Sequence, residues 1–214
     1  MSVRRITLVD SHRPDESVIA EAATLLLEGK IVVYPTDTIY ALGVNALGSE
    51  AIRDLFEVKE RQLEKPIHVV VHSLEMADKY VILNNAAREL AARFLPGPLT
   101  LILPKRDVVP DSLVGGRKTL GIRIPDNKIC LMLSQRAGIP FTTTGANTDG
   151  GANPYTIDEV VNQLGPHIDD VDLLIDQGPL PRTLPSTLID LTTSPPSVLR
   201  QGIISASDAL KALA

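Results

Sequence analysis

The 214 residues suffice for one large domain, and 44% apolar with 22% charged residues is an ordinary globular balance. Aromatics at 3%, no Trp and a net charge of −5 argue against a protein that coats nucleic acid or anionic lipid, which needs exposed rings or an overall basic surface. The single cysteine, Cys130, excludes an internal disulfide and a cysteine-rich zinc site, and no apolar run reaches the ~20 residues that span a bilayer.

In chain order, residues 5–9 read as a strand. Residues 15–28 read as a helix with Val18, Ile19, Ala22, Leu25 and Leu26 on one face and Gly29 as its stop. A second strand at 31–34 ends at Pro35. Ser49 is expected to cap a helix to about residue 59 that buries Ile52, Leu55 and Phe56. The run 67–71 predicts a strand covered on both faces. A short helix after Ser73 and another over 85–94 lead to Pro96-Gly97-Pro98, which no regular element crosses. Strands follow at 99–103 and 119–124, separated by a polar, Gly-rich loop at 105–118. A helix over 127–137 stops at Gly138, and 140–143 is a strand. Thr156 and Glu159 form a capping box for a helix to about 163. Strands at 172–176, 186–191 and 197–200 precede a short helix capped by Ser205. With no repeat, linker or low-complexity tract, this order predicts an α/β fold in one domain over 1–214: a mixed sheet packed with helices.

Polar residues interrupt the pattern at strand ends, where open α/β sheets bind ligands. Thr36 and Thr38 stand just past Pro35, in a segment that equally suits a plain turn. Lys59, Arg61 and Lys65 follow a helix end and precede Pro66. A cation at a helix C-terminus is stabilising by ~0.3–1 kcal/mol, which accounts for Lys59 but not for a dense basic run in an acidic chain. A unit charge pair at 4 Å is worth about 4 kcal/mol at an effective dielectric of about 20, so three cations on one loop suit a phosphate grip. Arg123 and Arg200 each end a strand, Asn147 follows the strand at 140–143, and jointly they suggest convergence on one cleft.

Other chemistries find less support. Gly115-Gly116-Arg117-Lys118-Thr119 resembles a P-loop fragment but has Arg117 where glycine is needed, and it precedes a strand. No Gly-x-Gly-x-x-Gly follows the first strand. His12, His68, His72 and His167 read as surface or strand-end residues, and the pair four apart lacks a carboxylate partner for a metal. Cys130 reads as a buried, inert thiol, and no Ser-His-Asp or Cys-His arrangement is legible.

Taken in order, these segments resemble the YrdC/YciO family. The matching pieces are residues 35–43 (Pro-Thr-Asp-Thr-Ile-Tyr-Ala-Leu-Gly), Lys59-x-Arg61, Lys65-Pro66, Pro96-Gly97-Pro98-Leu99-Thr100, Arg123-Ile124-Pro125, Ala146-Asn147, residues 185–190 (Pro-Ser-Thr-Leu-Ile-Asp) and Arg200-Gln201-Gly202. The resemblance implies one twisted mixed sheet with a large basic concavity, and a catalytic domain without the second domain of longer relatives. It implies an L-threonylcarbamoyladenylate synthase, a nucleotidyltransferase that condenses L-threonine, bicarbonate and ATP and releases pyrophosphate. A partner transferase would then modify an adenosine beside the tRNA anticodon, which places the work in the cytoplasm, away from membranes. By the same resemblance Lys59, Arg61, Lys65, Thr119, Asn147 and Arg200 would hold ATP, and Thr36, Arg123 and Ser186 the threonine. An arginine fork suits an amino-acid carboxylate. Mg²⁺ would arrive with the ATP, and no residue would act as a covalent nucleophile. The family's Ser-Ala-Asn reads Gly145-Ala146-Asn147 here, and Val70 stands where some relatives carry a threonine-binding histidine. Two other readings share these residues: a YciO-like paralogue with weak or altered synthase activity, and a double-stranded RNA-binding module.

Overall fold

The computed structural model describes residues 4–8, 10 and 13–213; Val9, the last residue of the first predicted strand, and His12 lie outside them. Strand β1 (Arg4–Thr7) is followed by helix α1 (Glu16–Leu27), whose N-cap Asp15 accepts the amide of Ser17 and whose chain turns at Gly29 with φ +80°. Strands β2 (Val32–Pro35) and β3 (Tyr40–Gly43) form a hairpin across residues 36–39. The sequence reading missed β3 because a Pro-Thr-Asp-Thr turn hides a four-residue strand. Helix α2 (Ser49–Val58) is capped by Gly48, so Ser49 is its first residue and not its cap. Strand β4 (His68–Val70), short helix α3 (Leu74–Ala77) with Ser73 as its cap, helix α4 (Asn85–Phe94) and strand β5 (Leu99–Pro104) come next.

The expected loop at 105–118 holds one helical turn, α5 (Asp111–Val114), which ends at Gly115 in the left-handed region (φ +58°). Strand β6 (Thr119–Arg123), helix α6 (Lys128–Ala137, stopped by Gly138), strand β7 (Phe141–Gly145) and helix α7 (Ile157–Leu164) follow. The Thr156–Glu159 capping box is present, and a 3₁₀ segment, Gly165–Asp170, continues past α7. Strands β8 (Leu173–Asp176), β9 (Thr187–Asp190) and β10 (Ser197–Arg200) precede α8 (Ala206–Lys211), capped by Ser205.

The strands make one mixed sheet in the order β1-β8-β2-β3-β7-β4-β6-β5-β9-β10. β4 and β6 run parallel, and β7 and β5 lie antiparallel outside them. This register sets the site, because side chains alternate faces along each strand. On β4, Val69 enters the core shared with α2, α4 and α7. Val70 points to the other face, into the cluster under α1 and α6. His68 shares that second face one step earlier, beyond the cover of those helices. Cys130 is fully buried in that cluster, its thiol donating to the Pro35 carbonyl at 3.2 Å, as an inert structural thiol should.

Candidate active site

Where α1 and α6 stop covering the sheet, the strand ends and their loops enclose a cavity of about 300 Å³. Its floor is held by side chains from four strands and one turn. In the β2–β3 turn, Thr36 Oγ1 accepts the amides of Thr38 and Ile39 at 3.0 and 3.1 Å. Arg123, at the end of β6 and only 6% exposed, donates through Nη2 to Asp37 Oδ1 at 2.5 Å and to Thr38 Oγ1 at 3.0 Å. Burial raises the Asp37 carboxyl above its ordinary range more than the arginine lowers it. Arg123 Nε is buried without a partner among the described residues, so the group keeps unspent donor capacity. Arg200, on β10, donates to the Ser186 carbonyl from Nε and Nη2 at 3.1 and 3.0 Å, and to Ser186 Oγ at 3.1 Å. Ser186 Oγ in turn meets Thr100 Oγ1 at 3.0 Å. Gly202 makes this packing possible, because a Cβ there would lie 1.9 Å from the Pro185 carbonyl oxygen. Burial, then the nearby Arg123 charge, pulls the Arg200 guanidinium below its ordinary pKa.

The expected phosphate grip is divided by the way α2 ends. The amide of Glu60 bonds to Glu57 O and that of Arg61 to Phe56 O, both at 2.9 Å, with Glu60 in the left-handed region at φ 48°. This paired closure of a helix C-terminus sends Lys59 inward and Arg61 outward. Lys59 is 1% exposed. Its Nζ donates to Gly145 O at 2.7 Å, Asn147 O at 2.6 Å and Asn147 Oδ1 at 3.1 Å. Burial, aided by the Arg61 charge, brings its pKa down to about 7. Asn147 spends its amide hydrogens on Gly151 O and Ala152 O, both at 2.9 Å. Lys59 and Asn147 therefore line the cleft while clamping its 145–152 loop, and their polar groups are committed to each other and to backbone.

Arg61 and Lys65 form the rim. Arg61 Nη1 donates to Asp149 Oδ1 at 2.8 Å, and Lys65 Nζ to Asp149 Oδ2. These contacts hold the Asp149 carboxyl below its usual range: the Lys65 hydrogen bond is the largest cause and outweighs burial, with the charges of Arg61, Lys65 and Lys59 adding to it.

Thr36, Lys59, Arg61, Arg123, Asn147, Ser186 and Arg200 thus stand around one cavity, with Lys65 joined to it through Asp149. Thr119 stands apart. It opens β6 four residues before Arg123 on the same face, opposite Pro104, and does not line the cavity. Cavity residues to which the sequence reading gave no site role are Asp149, Thr100 and His68. Of the two expected places for His68, surface or strand end, the second holds: it opens β4, and its ring lies against Gly121 across the β4–β6 pair, where a Cβ would come within 2.4 Å of its Cδ2. Burial, then the charges of Arg200, Arg123 and Arg61, depresses its pKa to about 4, so the imidazole is neutral. Its signal was present in the sequence, since it is the one polar residue in the 67–71 run and alternates with Val70.

The family described as "Telomere recombination", Sua5/YciO/YrdC, matches residues 24–202. The chain belongs to that family. It is 37% identical over 192 residues to the threonylcarbamoyl-AMP synthase of Pyrococcus abyssi, covering 89% of this chain and 56% of that protein. The crystal structure of P. abyssi Sua5 complexed with L-threonine superposes with a TM-score of 0.91 at 34% identity, over all of this chain and 61% of the other. E. coli YciO superposes at 0.83 with 29% identity, over 98% of this chain and 99% of that one. The chain thus spans rather more than half the length of these longer family members and nearly all of the YciO structure.

Proposed function

We propose that the chain is an L-threonylcarbamoyladenylate synthase. The observation that carries this reading is the convergence of the family's scattered motif residues on one cavity walled by Arg61, Arg123 and Arg200. The similarity to a threonylcarbamoyl-AMP synthase supports it. Threonine's ammonium and bicarbonate give the carbamate, one water and one proton. The carbamate oxygen then attacks the α-phosphorus of ATP, and pyrophosphate leaves. Both reactants of the second step are anions, so the work of the protein is to hold them together and offset their repulsion.

In this reading Arg123 and Ser186 take the threonine carboxylate, with Thr36 and its turn beside them. Arg61, Lys65 and Arg200 take the nucleotide's phosphates. Lys59 and Asn147 keep the loop beneath the nucleotide in place. Among the described residues no three His, Cys, Asp or Glu side chains gather to hold a metal on their own. Mg²⁺ arriving on ATP would offset phosphate charge, and Asp149, bonded to both rim cations, is the carboxylate placed to meet it. The product is a reactive mixed anhydride, so a transferase acting on tRNA adenosine would consume it where tRNA is modified. No helix among the described residues is long and apolar enough to cross a membrane.

The test is pyrophosphate release from ATP with each co-substrate omitted in turn. Release is expected only when L-threonine and bicarbonate are both present. Equal turnover without either one would refute the synthase reading.

A further inference from the structure

Asp149 is the one cleft-lining carboxylate that sits between the two rim cations, one oxygen to each. If a nucleotide's phosphates take Arg61 and Lys65, as proposed above, they meet a fixed negative charge already there. Two like charges 4 Å apart repel by about 4 kcal/mol at an effective dielectric of about 20, so the carboxylate must leave or be bridged.

The backbone decides between these outcomes. The Asp149 amide donates to Lys59 O at 2.8 Å, and Lys59 is itself buried and clamped to Gly145 and Asn147. On the other side, Asn147 Nδ2 holds Gly151 O and Ala152 O, Gly151 N bonds Thr148 O at 3.0 Å, and Pro154 O accepts the Tyr40 amide at 2.9 Å. Gly150, at φ +82°, makes the turn between these anchors. The loop is pinned on both sides of Asp149. Its side chain can rotate, yet the carboxylate stays within reach of whatever binds Arg61 and Lys65. Magnesium is commonly held by one or two carboxylates together with substrate phosphates, keeping several waters.

We propose that Asp149 is a protein ligand to the divalent cation of the bound nucleotide, so that the cleft selects the metal complex of ATP and rejects metal-free ATP. Arg61 and Lys65 exchange Asp149 for phosphate oxygens, and the released carboxylate turns to the cation those phosphates carry. This inference rests on the nucleotide reading of the cleft.

Calorimetric titration of a non-hydrolysable ATP analogue, with Mg²⁺ and with chelator, tests it in the full chain and in Asp149→Asn. The unsubstituted chain is expected to bind the Mg²⁺ complex at least about tenfold tighter than the metal-free form, a difference of about 1.4 kcal/mol. Asp149→Asn is expected to erase most of that preference, chiefly by admitting the metal-free form. Asp149→Ser should do the same, and in both variants Mn²⁺ electron paramagnetic resonance should show weaker cation retention in the ternary complex. An unchanged preference in the variants overturns the inference, whether both affinities rise together, as for a mere competitor, or neither moves. So does an unsubstituted chain with no preference. A chain that binds neither form overturns the nucleotide reading as well, which separates the two failures.

Discussion

Arg123 stands on the floor of the cleft and Arg61 on its rim, each paired with one aspartate. Arg123 is nearly buried, and its partners Asp37 and Thr38 come from the tight β2–β3 turn. Arg200, exposed at the end of β10, meets Ser186, which stands just before β9. Both arginines end strands of the sheet, and the Arg123 partners sit in a turn closed by the bonds to Thr36 Oγ1, so this part of the floor is preorganised. Arg61 and Lys65 hang from the loop after α2 and meet Asp149 on a second loop, and all three retain some contact with solvent. Solvent screening makes such pairs inexpensive to exchange. On the reading proposed above, the contrast gives the two regions different work: Arg123 on the floor orients a small substrate, and the rim trades one anion for another.

Lys59 joins the regions, and removing its head group should give the largest effect. Lys59→Met removes the donor to Asn147 O and Asn147 Oδ1, while Gly145 O keeps the Asn147 amide at 2.8 Å. An orphaned buried acceptor costs about 1–3 kcal/mol, and relief of the buried ammonium offsets part of the sum. A net loss of about 2 kcal/mol is expected, read as a lower urea midpoint at constant slope. Hydrogen exchange should quicken at Asp149 and Gly151 while the amides of β4 and β6 stay protected. A loss below about 0.5 kcal/mol would show that water replaces the lysine and that the loop needs no clamp.

His68 gives a smaller effect with a sharper signature. Above about pH 6.5 neither the folded nor the unfolded chain protonates this imidazole, and its contribution to stability is fully present. As pH falls, the unfolded chain takes up a proton that the folded chain refuses until about pH 4, because burial and the charges of Arg200, Arg123 and Arg61 oppose it. Stability then drops through that window by up to about 1.4 kcal/mol per pH unit. Glutamine cannot titrate, so His68→Gln should flatten the stability profile between those limits. Identical slopes in the two proteins would mean that the folded imidazole titrates normally and that the floor is wetter than its geometry implies.

The same division governs what could be read from the sequence. Helices α1, α4, α6 and α7 were legible from apolar spacing and from Gly29, Gly138 and the Thr156–Glu159 box, since caps and periodicity are local. The strand β3 and the single turn α5 were not, because each has only four residues and lies beside a turn. Arg123 and Arg200 stood out as arginines at strand ends. Asp149 did not, because its partner Arg61 is 88 positions away and only the fold brings them together. His68 was read as a surface or strand-end residue with no site role, because the apolar run around it hid that β4 is uncovered at one end. Lys59 was visible as a charge, but two of its three acceptors belong to Asn147, in a loop whose course no local rule predicts.

Gly145 lies where floor and rim meet, and it carries the smallest effect and the finest test. It ends β7 opposite Ala41, and its carbonyl accepts one of the Lys59 hydrogen bonds. Its φ lies outside the left-handed region, so the backbone does not demand glycine. Space is the tighter constraint: a Cβ would stand 3.1 Å from Asn147 Oδ1 and 3.3 Å from Ile39 Cδ1. Ile39 is half-buried and can shift by the few tenths of an ångström required, whereas Asn147 Oδ1 is held by Lys59. Gly145→Ser should therefore cost less than about 1 kcal/mol of stability, within the usual range for a tolerated crowding. On the proposed reading a hydroxyl there adds a donor near the threonine, and one such contact is worth about 0.5–1.5 kcal/mol, or about a two- to tenfold tightening. Threonine titrated in the presence of a non-hydrolysable ATP analogue should show that gain, with the analogue's own affinity unchanged. Tighter threonine with unchanged nucleotide would mean that floor and rim act independently across this residue. A weaker nucleotide, with no gain in threonine, would mean that pressure on Asn147 passes through Lys59 to the loop, and the division between floor and rim would fail at their junction.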